Sequence, residues 1–452
     1  MKNQKFINTK IINKTKIEKE FVNIKNKYKY TWEKEGKNIL LEENKILLSE
    51  KDKIMLQILL IQEIPKELHI KLWLISSGAN FLLKEQKENY KNLLKFYENL
   101  ERKGHYFYKY LTNKISRDLH RSNVKEEEIY KLKNILNAFV SRNLSLSYCQ
   151  GYNLITAYLL KMTDYNEDES FFLFVKLMED ILPYDYFYFG IGIEVELSLI
   201  KLLLEKFDNE LYNHLNRLNS YCYIESKLSM WIISLMICKI DKRITNFFFD
   251  CIFLYSNNNS DNYLSALYTM IFSILAILRN DLLNSGKSND INDILDNFSD
   301  NPISEENYQR IIYYNLISQE KNKFKDKYIF DLRKNEIKRI INDTKLNFKS
   351  EENDEEILCE ENFPLCIKEK NLKPSEEFII YKGKSDLSIY IIEEYYGNEE
   401  VNNNLLIKEN KENKEINNKI KDGESNINKR NNEDEEKIMN KLIIERRKHF
   451  CK

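Results

Sequence analysis

Apolar residues recur at helical spacing in one segment after another, and this pattern limits the fold of the chain more than any other feature. The segment after Asn123 gives the clearest example, with apolar positions at Ile129, Leu132, Ile135, Leu136, Phe139 and Val140. Similar stripes occur at 194–206, 227–240 and 263–278, and no strand-like alternation precedes residue 340. Only 10 glycines and 5 prolines occur in 452 residues, which is few for the turns of a β-sandwich or barrel. The sequence therefore predicts an all-α protein.

Local signals predict where several of these helices begin and end. Asn123 followed three residues later by Glu126 predicts a capping box at the start of one helix. Residues 68–83 keep one apolar face throughout and predict a single helix. The stretch 284–302 is polar and typical of a loop, and Ser304 then opens another helical segment.

The distribution of apolar and polar residues also predicts the domain organisation. We expect a flexible basic N-terminus over 1–26 and a compact multi-helix domain over 27–343, with its core at 60–283. Residues 344–452 are charged and rich in asparagine, so we expect a largely disordered extension.

Composition argues against several classes of function. The net charge is -1, so the whole chain has no electrostatic reason to bind nucleic acid. Its seven cysteines form no C-x-x-C pair, which predicts no metal site and fits a reducing compartment. The N-terminal residues lack the apolar stretch of a secretory signal. The least polar stretch, 263–278, is shorter than the ~20 residues that span a bilayer, so we expect a core helix and a cytoplasmic protein without a transmembrane segment.

Two polar segments between apolar helices are the candidates for chemistry: ISRDLHRS at 115–122 and SYCQGYN at 147–153. Taken alone, Asp118 and Arg121 form an ordinary surface pair worth ~0.2–0.5 kcal/mol. Gln150 is likewise an ordinary polar residue at the start of a helix, and Gly151 permits a close approach of the backbone. Local chemistry by itself thus favours no function for either segment.

Together the two segments resemble the paired motifs of TBC domains, I-x-x-D-x-x-R followed by Y-x-Q-G. The matching residues are Ile115, Asp118 and Arg121 in the first motif, and Tyr148, Gln150 and Gly151 in the second. A long predicted helix separates the motifs, as the family arrangement requires. The resemblance extends over about 60–283 and places the chain among TBC-domain Rab GTPase-activating proteins.

Flanking helices add to the resemblance and also show departures from the family pattern. Trp73, Trp231 and Asp250 match structural positions of the family, each within an apolar helix. The departures are His69 for the usual arginine, Ser122 for threonine, Tyr152 for a smaller aliphatic residue and Phe249 for tryptophan. In the family these positions are structural, so we expect these four departures to affect the orientation of neighbouring helices if they have any effect.

The resemblance implies a regulator that is not itself an enzyme. It implies that Arg121 supplies positive charge to the nucleotide site of a GTP-bound Rab and that Gln150 orients the attacking water. Asp118 would hold Arg121 by a charge-assisted bond, and Tyr148, Gly151 and Asn153 would shape the turn that presents Gln150. The protein would need no cofactor of its own, because the partner carries GTP and Mg²⁺, and it would regulate vesicle traffic.

Two alternatives remain open at the level of sequence. One is a catalytically silent TBC module that binds a GTPase as a scaffold or tether. The other is a helical scaffold whose C-terminal extension carries the function. In that extension, residues 435–450 form an amphipathic pattern that fits either peripheral contact with endomembranes or a solvated end.

Overall fold

Helices make up all the regular secondary structure that the computed structural model describes, and no strand occurs in those residues. The described residues are 64–104, 106–143, 146–183, 186–187, 191–255, 260–320, 329 and 331–340. The predicted all-α class is confirmed. The expected N-terminal segment 1–26, the extension 344–452 and the amphipathic segment 435–450 lie outside the described residues.

The helices are, in chain order, α1 (Lys66–Ser76), α2 (Ala79–Glu85), α3 (Lys87–Arg102), α4 (Tyr106–Leu119), α5 (Ile129–Arg142), α6 (Tyr152–Met162), α7 (Glu167–Lys176), α8 (Ile191–Phe207), α9 (Asn209–Arg217), α10 (Tyr221–Ile233), α11 (Lys242–Tyr255), α12 (Ser260–Asn284), α13 (Ser288–Asp300) and α14 (Glu305–Glu320). Residues 331–340 are also helical. A 3₁₀ turn, Glu126–Glu128, precedes α5, and a π-helical turn, Leu177–Ile181, follows α7.

The longest described helix, α12, lies inside the protein. It packs against α9, α11, α13 and α14. Its segment Tyr263–Asn284 is, among the described residues, the one helix long and apolar enough to cross a membrane, and 67% of its apolar window is buried. Neighbouring helices already cover most of its surface, as they do for the core helix of a globular domain.

The apolar segment at 68–83 forms two helices, so the prediction of a single helix is wrong. Ser77 and Gly78 separate α1 from α2, and Gly78 has a φ of 75°. This left-handed conformation ends a helix and is readily adopted by glycine. The apolar spacing continues across the break, which is why the sequence pattern did not reveal it.

The predicted capping box at Asn123 is also wrong. Asn123 has a φ of 49°, and the 3₁₀ turn that follows is preceded by Lys125 without a side-chain cap. The α-helix itself begins at Ile129. Asn123 therefore belongs to the turn between α4 and α5.

Residues 284–302 contain helix α13, so the predicted loop is wrong. Ile291, Leu295 and Phe298 are buried along one face of this helix. Their spacing of four and three residues is helical, although asparagine and aspartate dominate the remaining positions and mask the pattern.

Candidate functional site

The two polar segments meet at the junction of three helices that contact one another: α4, α5 and α6. The first segment includes the last turn of α4, which ends at Leu119, and the turn that follows it. The second segment leads into α6, which begins at Tyr152. Residues far apart in sequence are thus brought together, as the motif pair requires.

Arg121 lies in the turn after α4 and exposes 70% of its side chain. Its backbone N–H donates to the Asp118 carbonyl at 3.1 Å, which fixes the turn. Its Nη1 lies 3.7 Å from Asp118 Oδ1, an ion-pair distance that is too long for the expected charge-assisted hydrogen bond. The guanidinium therefore faces solvent beside a carboxylate that attracts it weakly.

Asp118 connects the two segments through a buried network. It is 8% exposed, and its Oδ2 accepts a hydrogen bond from the Tyr148 hydroxyl at 2.9 Å. Burial, with a further contribution from the Asp118 carboxylate, raises the pKa of Tyr148 well above its ordinary value. The phenol consequently remains a donor throughout the physiological range.

Asn153 supplies a second link between the segments. Its Nδ2 donates to the Asp118 carbonyl at 3.1 Å and to Ser122 Oγ at 2.9 Å, while its Oδ1 accepts from the Gly151 N–H at 3.3 Å. Ser122 is buried, and its hydroxyl also donates to the Asp118 carbonyl. Serine thus keeps the hydroxyl that threonine would provide at this position.

Gln150 is exposed on the turn directly before α6, whereas Tyr148, Gly151 and Asn153 around it are buried. Gly151 has a φ of 109°, and a Cβ added there would lie 2.7 Å from the Ile233 carbonyl oxygen at the end of α10. Both observations require glycine. The close approach holds the glutamine turn against α10 and leaves the Gln150 side chain directed outward from a fixed backbone.

The remaining motif residues have structural contacts. Ile115 is fully buried on α4. Trp73 Nε1 donates to Asp250 Oδ1 at 2.8 Å, and His69 Nε2 lies 2.5 Å from the same oxygen. Trp73 also stacks on Phe249, with 6.0 Å between ring centroids. These contacts join α1 to α11, so both departures at His69 and Phe249 lie at a helix contact.

Trp231 is a further structural residue. It is 1% exposed on α10, and its Nε1 donates to the Lys239 carbonyl at 3.3 Å. Its ring packs edge-on against Phe298 of α13 at 6.0 Å. The contact helps to fix the end of α10 that receives Gly151.

One charged pair close to the second segment was not predicted from the sequence. Arg142, the last residue of α5, and Glu179, in the π-helical turn, are 4% and 6% exposed and form a buried ion pair with Nη2 and Oε2 2.9 Å apart. The sequence held only two signals of this pair. Arg142 is a charged residue at the end of the apolar stripe of α5, and Glu179 is a charged residue within the apolar run after α7.

A family model described as the Rab-GTPase-TBC domain matches residues 66–283. Similar curated proteins include the Growth hormone-regulated TBC protein 1 of Homo sapiens, 33% identical over 133 residues, which are 27% of this chain and 36% of that protein. The TBC domain-containing protein C4G8.04 of Schizosaccharomyces pombe is 26% identical over 229 residues, 49% of this chain and 27% of that protein. The matches thus span well under half the length of these relatives.

Two solved structures match part of this chain. One is the Chlamydomonas flagellar RabGAP TBC domain, with a TM-score of 0.46, 16% identity, and coverage of 68% of this chain and 95% of that one. The other is the Ypt/Rab-GAP domain of Gyp1p, with a TM-score of 0.49, 18% identity, and coverage of 67% and 98%.

Proposed function

Residues 66–283 belong to the Rab-GTPase-TBC domain family, and from this premise we propose that the protein accelerates GTP hydrolysis by a Rab-family small GTPase and thereby regulates vesicle traffic. One observation carries the proposal: Arg121 and Gln150 are both exposed, on two turns joined by the buried Asp118–Tyr148 hydrogen bond. The protein would act as a regulator in the cytoplasm, peripheral to endomembranes.

Arg121 provides the positive charge that the reaction needs. In phosphoryl transfer, negative charge spreads over the oxygens of the transferred group, and an arginine supplied by another protein compensates it, with a gain of ~10³–10⁵ in rate. That gain corresponds to about 4–7 kcal/mol of transition-state stabilisation. An exposed guanidinium at the end of α4 presents the forked donors that lysine lacks.

Gln150 provides a neutral group with a donor and an acceptor on one side chain. Its amide can accept from the attacking water while donating to a phosphate oxygen. The buried contacts of Gly151 and Asn153 fix the backbone beneath it before a partner binds. Such preorganisation removes an ordering cost from the reaction step.

The partner GTPase supplies the nucleotide and Mg²⁺ in this scheme, and the protein needs no cofactor of its own. Asp118 connects the arginine turn with the glutamine turn and does not act as a general base. Its carboxylate accepts from the Tyr148 hydroxyl and its carbonyl accepts from the Arg121 N–H, so it holds the two turns at a fixed spacing.

Single-turnover GTP hydrolysis on a panel of GTP-loaded Rabs tests the proposal and identifies the partner. We expect the protein to stimulate at least one Rab, and Arg121→Ala and Gln150→Ala to reduce this stimulation strongly. Arg117→Ala is the matched control, because Arg117 is also an exposed arginine and lies on α4, the helix that ends just before Arg121. Binding of a Rab without stimulation would support the silent scaffold, and absence of stimulation on every Rab would overturn the proposed activity.

A further inference from the structure

We infer that Glu179 and Arg142 form a positioning device for the glutamine turn, an inference that rests on the proposed function. Glu179 lies in the π-helical turn Leu177–Ile181, closed by a hydrogen bond from the Leu182 N–H to the Leu177 carbonyl at 2.9 Å. A π turn inserts one extra residue into a helix and is frequent at functional sites. Here it accompanies a carboxylate that contacts the end of α5.

The ion pair has a rigid, forked geometry. Arg142 Nε lies 3.0 Å from both oxygens of Glu179, and Nη2 lies 2.9 Å from Oε2. Nη1 donates to Gln86 Oε1 at 3.0 Å. Bidentate pairing fixes direction as well as distance, so the last residue of α5 is held in one orientation.

Asn143 extends this contact to the residues before Tyr148. Its Nδ2 donates to Glu179 Oε1 at 3.5 Å, while its Oδ1 accepts from the Leu146 N–H at 3.1 Å. Its carbonyl accepts from the Ser147 N–H at 3.0 Å. The carboxylate of Glu179 therefore fixes the start of the segment that carries Gln150, three residues beyond Ser147.

A contribution to folding stability does not by itself explain why this buried ion pair is present. Burial raises the pKa of the Glu179 carboxyl above its usual value, and the Arg142 guanidinium opposes that rise. Buried ion pairs are often replaceable by apolar residues at little cost, because desolvation offsets their attraction. Their better-attested use is to specify one conformation. In this chain the conformation specified is that of the segment leading to Gln150.

A second buried ion pair offers a matched control. Arg279 Nε donates to Asp208 Oδ2 at 2.6 Å, and the two residues are 9% and 7% exposed. This pair joins α12 to the start of α9, and neither residue contacts the glutamine segment within the described hydrogen bonds. Loss of charge at Asp208 therefore reports the general effect of breaking a buried pair.

Hydrogen–deuterium exchange tests the positioning without any GTPase. In the full-length protein, Glu179→Gln should accelerate exchange of the Leu146 and Ser147 amides by ~10-fold or more, because their acceptor residue loses its support. Asp208→Asn should leave these amides unchanged. Unchanged exchange in Glu179→Gln would overturn the inference, whether or not the protein activates any GTPase.

Kinetics then test whether the device acts through Gln150. On the Rab that the wild type stimulates most, Glu179→Gln should lower the saturated hydrolysis rate by roughly 10–100-fold with little change in KM. Combined with Gln150→Ala, the Glu179→Gln substitution should lower the rate no further. Combined with Arg121→Ala, it should lower the remaining rate by the same factor as in the wild type. Equal effects in both backgrounds would contradict positioning of the glutamine.

Arg142→Lys provides a second variant in case Glu179→Gln folds poorly. Lysine retains the charge but loses the fork, so we expect the same amide exchange and the same dependence on Gln150. Wild-type exchange in Arg142→Lys would overturn the inference. Absence of stimulation by the wild type, with the exchange effect present, would instead reject the proposed function and keep the positioning.

Discussion

Substitution of Gly151 by alanine is the sharpest test of the site geometry. The φ of 109° is one that residues with a side chain rarely adopt, and the new Cβ would lie 2.7 Å from the Ile233 carbonyl oxygen. Backbone strain of this kind costs ~1–3 kcal/mol. The contact adds ~1–3 kcal/mol, because a backbone oxygen yields only if α10 or the turn moves. We therefore expect a loss of about 2–6 kcal/mol in the free energy of unfolding.

Two other glycines separate the two contributions. Gly104 has a φ of 74° but open space around its Cβ position, so Gly104→Ala measures strain alone. Gly286 has neither a positive φ nor a close neighbour, so alanine there should be neutral or stabilise by ~0.4–1 kcal/mol. Gly151→Ala should thus be the most destabilising of the three.

Thermal unfolding followed by circular dichroism gives the readout. For a domain of this size each kcal/mol shifts Tm by ~2–4 °C, so a loss of about 2–6 kcal/mol in Gly151→Ala should lower Tm by about 4–24 °C. Gly104→Ala should lower it by about 2–8 °C, from ~1–2 kcal/mol of strain. If Gly151→Ala is no more destabilising than Gly104→Ala, the close contact with α10 does not constrain the glutamine turn and the reasoning fails.

Three further predictions concern the buried polar contacts. Tyr148→Phe leaves Asp118 Oδ2 without its donor and should destabilise by ~1–3 kcal/mol in urea unfolding; an unchanged midpoint would contradict the network. Asp250→Ala removes the acceptor of Trp73 and His69 and should lower the free energy of unfolding, measured in the same way, by at least ~2 kcal/mol. This loss should exceed that of Asp300→Ala, which removes the exposed ion pair with Lys239. Burial raises the pKa of Tyr148 above its ordinary value, so the contribution of Tyr148 to stability should be constant below about pH 10 and fall above it as unfolding permits ionisation; an alkaline loss of stability as large in Tyr148→Phe as in the wild type would contradict this.

Sequence patterns predicted the features that depend on local spacing. The apolar stripes predicted most of the helices, because a helix that buries one face repeats its apolar residues about every 3.6 positions. The two motifs gave Arg121 and Gln150, and the structure places both on exposed turns of one junction. Helix α13 escaped prediction because its buried residues, Ile291, Leu295 and Phe298, are few among polar neighbours.

Features that depend on contacts between distant residues were not predictable from one sequence. The contact between Gly151 and Ile233 joins α6 to the end of α10, and no local pattern marks it. Arg142 and Glu179 are each ordinary charged residues in the sequence, and only the packing of α5 against the turn after α7 makes them a buried pair. Such contacts decide how firmly the exposed residues are held.

The central claim is that Arg121 and Gln150 act on the GTP of a bound partner. Its most direct test is the saturated single-turnover rate of GTP hydrolysis by the stimulated Rab. We expect Arg121→Ala to lower this rate by ~10³-fold or more and Gln150→Ala by ~10²-fold or more, while Arg117→Ala stays at the wild-type rate. A rate for Arg121→Ala or Gln150→Ala equal to that of Arg117→Ala would contradict the account.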